Sequence, residues 1–342
     1  MSQPSPSAVT GAGHDGAVNT NVLEIELDRD TSEALGREME RGVSSPYVDA
    51  NRAIREASRI FYSRIPESVL ASIERLVLDP EAPSAIHFSN LPIDRSLPVT
   101  PPDGHDVSGK KTFVTEGVLM GIGRVLGHPY AFKDEKRGQI VQQVCPVPKS
   151  AKQLSNEGSL VGLGMHVENS FSEFRPHYQL LLCLRGDTEH KALTGIASGR
   201  AIASRLSPEH LATACRAEFR IQCPPSFAAT GQDAYSEPVA IFSGPRERAE
   251  LRIDLPECME CLTDRASETF AAIQAVFEEP GVVRNIDFQP GEALVLANRR
   301  ITHSRTVFTP RYDGTDRWLQ RMFIISDPWQ FRALVDARLR VI

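Results

Sequence analysis

The sequence predicts an α+β fold with a sandwich or barrel core. Two observations carry this. Helical periodicity dominates the first third of the chain, and short β-rich runs broken by Gly and Pro fill most of the rest. No internal repeat and no shift in composition divides the chain after residue 20, so the expectation is one domain over 21–342 behind a disordered segment, 1–20. That segment is rich in Ser, Pro, Gly and Ala. It lacks the basic start and apolar stretch of a signal peptide.

The elements follow in order. "NVLEIELD" predicts a first strand. "TSEALGREMERG" predicts a helix capped by Thr31 or Ser32. "VDANRAIREASRIFYSRI" sets Ile54, Ala57, Ile60 and Phe61 on one helical face. "PESVLASIERLVL" places Pro66 at a first helical position. "SAIHFSNLPID" is a strand entering a turn at Pro92, and "FVTEGVLMGIGRVLG" a helix ending near Gly127. Strands are then expected in "GQIVQQVCPV", "SLVGLGMHVE", "HYQLLLCLR", "ALTGIASG", "FRIQCPPSF", "VAIFSG", "ELRIDL", "VVRNIDFQPGEALVLANRRITHSRTVF" and "RWLQRMFIIS". Two helices interrupt them, "SPEHLATACRAE" with Ser207 as cap and "TDRASETFAAIQAVFEE".

The totals exclude several function classes. A formal charge of −6 argues against a nucleic-acid partner. No apolar run approaches the ~18 residues a membrane helix needs. Six cysteines scattered through 342 residues point to reduced thiols and a cytoplasmic location. "CMEC", Cys258 to Cys261, has zinc spacing but no second pair to complete four ligands.

Two stretches carry chemistry. "GMHVENS" puts His166 and Glu168 two apart, where strand alternation would aim both into one interior. "PGEALVLANRRITHSR" is a turn and a strand ending on Asn298, with His303 close behind. Two imidazoles and one carboxylate suit a non-heme Fe(II) with three open positions, and the absence of thiolates fits iron better than zinc or a cluster. Arg317 follows His303 by 14 positions and Arg321 comes four later. An arginine is the side chain that grips a carboxylate bidentately. A spacing of four lets both arginines point inward from one strand.

With "HVE", "ITHSR", "DGTDRW" and "LQR" in place, and with the flanks "NLPID", "QQVCPVP", "RPHYQLLLCLR" and "PGEALVLANRR", the sequence resembles the clavaminate synthase-like branch of the Fe(II)/2-oxoglutarate-dependent oxygenases over roughly residues 22–330. That branch includes hydroxylases of free arginine, asparagine and lysine. The resemblance implies a double-stranded β-helix (jelly-roll) core with flanking helices. It implies Fe(II) held by His166, Glu168 and His303, with O2 and 2-oxoglutarate as cosubstrates. The distal carboxylate of 2-oxoglutarate would pair with Arg317, helped by Thr194, which is otherwise an ordinary strand threonine. Arg321 would hold the α-carboxylate of an amino-acid substrate and Glu168 would touch its ammonium. Gln143 and Asn156 would contact its backbone, or else serve as plain loop polar groups.

Asp254, in "ELRIDLPEC", is a candidate counter-ion for a cationic substrate tail, with lysine or arginine expected. The alternative is a strand-end Asp bonded to backbone or paired with Arg252. "FAATGQDAYSEPVA" has the composition of a lid, or of a surface loop. Rival readings are the same chemistry on a neutral amino acid, a carrier-tethered residue or an antibiotic precursor, a non-catalytic jelly-roll protein that binds a small acid, and a zinc hydrolase. A monomer and a homodimer are equally open.

Overall fold

A computed structural model describes residues 22–342 apart from 225–226, 228–233, 246–247 and 333–339. The expected disordered segment and residues 228–233 of the expected lid lie outside the described residues. Strand β1 (Val22–Glu26) leads into helices α1 (Arg29–Gly42), α2 (Ala50–Arg64) and α3 (Glu67–Leu78). Strand β2 (Ala85–Ser89) and helix α4 (Val114–Leu126) follow. The α1 cap is neither Thr31 nor Ser32 but Asp28, whose side chain accepts the Thr31 N–H at 2.9 Å. An acidic cap also suits the positive helix terminus. Pro66 is the cap of α3, one position earlier than expected.

After α4 come β3 (His128–Tyr130), β4 (Gln142–Val144), β5 (Leu163–His166), β6 (Tyr178–Arg185) and β7 (Thr194–Ser198). Two short helices follow, α5 (Gly199–Arg205) and α6 (Pro208–Ala214). The sequence gives no periodic warning of α5. Ser198, at the end of β7, caps it by accepting the Ala201 N–H at 3.2 Å. Ser207 caps α6 as expected. The remaining elements are β8 (Phe219–Ile221), β9 (Phe242–Ser243), β10 (Glu250–Leu251), β11 (Met259–Cys261), α7 (Asp264–Phe277), β12 (Arg284–Ile286), β13 (Ala293–Ala297), β14 (Ile301–Arg305) and β15 (Trp318–Ile325).

Two sheets position the site. The larger runs β1-β2-β13-β6-β15-β3, with β4 also on β15, and is antiparallel except for the β1–β2 pair. The smaller runs β12-β7-β14-β5 and is antiparallel. Leu181, Leu294, Leu296 and Leu319 of the larger sheet meet Ile196, Ile286 and Ile301 of the smaller in one buried cluster. The other face of the larger sheet is covered by the helices, with Leu180, Val295, Met322 and Ile324 packed into the same core as Phe61, Val118 and Ile122. Strands β6 and β15 are therefore apolar on both faces, which is why "QLLLCL" and "MFII" lack alternation.

Candidate active site

His303 is the middle residue of β14 and pairs directly with His166, the last residue of β5. Their rings lie 4.2 Å apart between centroids. The ladder between β14 and β5 is irregular just beyond His303, a common feature beside active sites. Glu168 is not on the strand. It stands in the turn after β5, so pleat alternation does not aim it. Asn298, at the end of β13, does that instead. Its Oδ1 accepts the Glu168 N–H at 2.8 Å, and its Nδ2 donates to the carbonyls of Glu168 at 3.1 Å and Pro176 at 3.0 Å.

The donor atoms of His166, Glu168 and His303 all lie within 4.8 Å of one another. Among the described residues no other group of three or more His, Cys, Asp and Glu brings its ligand atoms together in this way, and Cys258 and Cys261 are not part of one. The set fits a single ferrous ion. His166 Nδ1 contacts the Gly164 carbonyl at 2.9 Å, which leaves Nε2 for a metal. His303 Nε2 lies 3.6 Å from the Glu168 carboxylate, and its buried Nδ1 has no hydrogen-bond partner. Burial, then the neighbouring His166, pushes the His303 imidazole down to about 4, so it is a neutral, lone-pair donor near neutral pH. Burial favours a protonated Glu168, but the Arg321 guanidinium and the two imidazoles outweigh it and hold the carboxyl well below its usual range. Gln179 Nε2 also donates to Glu168 Oε2.

Arg317, next to β15, is 5% exposed, and Thr194 Oγ1 accepts from its Nη2 at 3.3 Å. No carboxylate among the described residues lies within 4.0 Å of it. Burial lowers its pKa. A buried guanidinium without a counter-ion is costly unless an anion arrives.

Arg321 is occupied in a different way. Its Nη1 reaches Glu168 Oε1 at 3.0 Å, its Nη2 pairs with Glu135, and its Nε donates to Gln142 Oε1 at 3.0 Å. Glu135 was not expected from the sequence, because "KDEKRGQ" resembles any solvated charge run. Gln142 and not Gln143 faces the site. Arg321 pairs across the ladder with Gln142 and Gln320 with Gln143, so neighbouring glutamines take opposite faces. Gln143 turns toward the helices, where it donates to Tyr47 Oη at 2.7 Å and accepts from Trp318 Nε1 at 2.8 Å.

Asn156 lies half-buried in a turn and makes no hydrogen bond to the triad or to either arginine. Asp254 does border the triad. Ser170 Oγ, two residues beyond Glu168, donates to Asp254 Oδ2, and the Leu255 N–H donates to Oδ1 at 2.7 Å. Arg252 bonds the Ser170 and Phe171 carbonyls rather than Asp254. Burial raises the Asp254 carboxyl above its usual range, against the opposing pull of His166.

A sequence profile of the taurine catabolism dioxygenase TauD, TfdA family matches residues 113–323, which hold the triad and both arginines. The chain belongs to this family. Within the TauD, TfdA family it is 37% identical over 283 residues to the L-asparagine oxygenase of Streptomyces coelicolor, covering 82% of this chain and 83% of that protein. It is 30% identical over 269 residues to the L-lysine 3-hydroxylase of Catenulispora acidiphila, covering 78% and 74%. A solved asparagine oxygenase in complex with Fe(II), 2S,3S-3-hydroxyasparagine and succinate superposes with a TM-score of 0.83 at 33% identity, over 94% of this chain and 99% of that one. Members of this clavaminate synthase-like branch are Fe(II)- and 2-oxoglutarate-dependent dioxygenases, and this chain is one of them. The non-catalytic and zinc-hydrolase readings fall with that result. No helix among the described residues is long and apolar enough to cross a membrane.

Proposed function

We propose that the protein hydroxylates a free L-amino acid at an unactivated side-chain carbon. The observation that carries this is the Arg321–Glu135 pair beside the triad. A fixed cation and a fixed anion side by side complement a zwitterion, with the guanidinium for the α-carboxylate and the carboxylate for the α-ammonium. His166, Glu168 and His303 hold Fe(II), and Arg317 with Thr194 takes the distal carboxylate of 2-oxoglutarate. The bound iron and 2-oxoglutarate supply the O2-derived oxidant and yield succinate and carbon dioxide. The chain's own residues orient the substrate and keep water from the buried pocket. The facing sheets support a double-stranded β-helix, formed by one domain spanning 21–342.

Asp254 supports a side chain that ends in an N–H donor. It borders His166 electrostatically and bonds Ser170, close to Glu168 and hence to Arg321. An acceptor bordering the triad suits the amide of asparagine, in keeping with the similarity to asparagine oxygenase. A second reading, lysine or arginine, draws on Asp254 having no cation among the described residues within 4.0 Å. Purified protein with Fe(II), ascorbate and 2-oxoglutarate is expected to form succinate with asparagine ahead of the other standard amino acids, and His166→Ala to abolish it. Turnover led by lysine or arginine would select the second reading. Succinate formation that no free amino acid stimulates would move the substrate to a carrier or a larger precursor.

A further inference from the structure

Arg175, Arg252 and Arg299 gather on the far side of the turn that carries Glu168. Arg175 closes that turn and Arg299 follows Asn298, while Arg252 bonds the Ser170 and Phe171 carbonyls at 2.7 and 2.9 Å. Arg175 is buried, with its side chain 9% exposed, and its Nε has no hydrogen-bond partner among the described residues. The Nε of Arg299 is likewise unpartnered. Both arginines turn a terminal nitrogen toward the same atom, Oε2 of Glu250, each at 3.6 Å and so beyond hydrogen-bond length. Glu250 is itself 45% exposed. Two guanidiniums thus share one loosely held carboxylate, with the Arg252 cation acting on both Arg175 and Arg299 from close by. Two further acids lie around the cluster, Glu173 acting on Arg252 and Asp327 on His177, and among the described residues Glu250 is the acid that acts on Arg175. Burial, then Arg299 and Arg252, pushes Arg175 down to about 10, as expected for crowded cations.

We propose that Arg175 and Arg299 form an oxyanion site that takes a phosphate dianion, free or as a monoester, beside or in place of Glu250. Guanidinium forks match phosphate oxygens, and a dianion neutralises a surplus that one carboxylate leaves standing. The site is separate from Arg317, whose partner is Thr194.

Calorimetric titration of the full chain with inorganic phosphate, and in parallel with glycerol phosphate, at constant ionic strength tests the site. Saturable binding of one phosphate per chain is expected. Arg299→Gln should weaken it by about tenfold or more. Glu250→Gln, at a half-exposed position that tolerates change, should tighten it by removing the competing anion. Arg317→Gln should leave it unchanged. Binding of both probes places recognition in the phosphate group, and binding of glycerol phosphate alone assigns the site to esters. Absence of saturable heat with either probe overturns the proposal. So does weaker binding in Glu250→Gln, or binding that survives Arg299→Gln and disappears in Arg317→Gln.

Discussion

Glu168 is held from three directions, by Asn298 through its backbone and by Gln179 and Arg321 through its carboxylate. Since it stands in a turn and not on a strand, its aim depends on these contacts. Asn298→Ala is therefore expected to lower metal affinity roughly ten- to a hundredfold, read by anaerobic titration with Fe(II), while far-ultraviolet circular dichroism stays native. Asn298→Asp keeps the acceptor for the Glu168 N–H and should lose less. Arg317 makes a different prediction. Among the described residues its buried guanidinium has only Thr194 as a side-chain hydrogen-bond partner, so Arg317→Ala should raise the KM for 2-oxoglutarate by roughly ten- to a hundredfold, with a smaller change in kcat. An unchanged KM would place the cosubstrate carboxylate elsewhere. His166, Glu168, His303, Arg317 and Arg321 could be picked out as candidates from their residue types and from the family resemblance that their spacing carries. Glu135, Gln142, Gln179 and Asn298 could not, since a glutamate in a charged run or one glutamine of an adjacent pair carries no mark of the face it will occupy.

Among the elements, α4 shows how closely the helices press on the sheet that bears the arginines. A Cβ at Gly121 would lie 2.5 Å from the Phe61 ring, and one at Gly123 would lie 2.5 Å from Met322 Cε. The helix lies between α2 on one side and β15 on the other, with room for no side chain at these points. Gly121→Ala should therefore destabilise the protein by about 1–3 kcal/mol through overpacking, although alanine gains about 1 kcal/mol in helix propensity. Urea denaturation measures the sign directly, and a stabilised variant would show that Phe61 can yield. The apolar faces of α2 and the β-rich texture from residue 128 onward were plain from periodicity. Helix α5 was not, because seven residues hold less than two turns of pattern and a cap serine at a strand end resembles any strand serine.

Across the whole molecule, all six cysteines are thiols and their burial sorts them. Burial pushes Cys145 and Cys183 each up to about 12 and Cys258 up to about 11, whereas Cys215 is exposed. Thiolate is the reactive form. Brief alkylation of the native protein should label Cys215 first, and Cys145 and Cys183 only after denaturation, as read by peptide mass spectrometry. Early labelling of Cys183 would mean that the space between the two sheets opens readily.

By itself the sequence determined the class of fold and marked out His166, Glu168, His303 and Arg317, the proposed iron ligands and cosubstrate arginine. These follow from periodicity and from side-chain chemistry that few other residue types can supply. Only the tertiary structure decided which glutamine faces the site, that Glu135 joins Arg321, that Asn298 aims Glu168, and that Arg175 and Arg299 share Glu250. Each of those depends on strand register or on contacts between distant segments, and a polar side chain takes its meaning from the partner that folding brings to it.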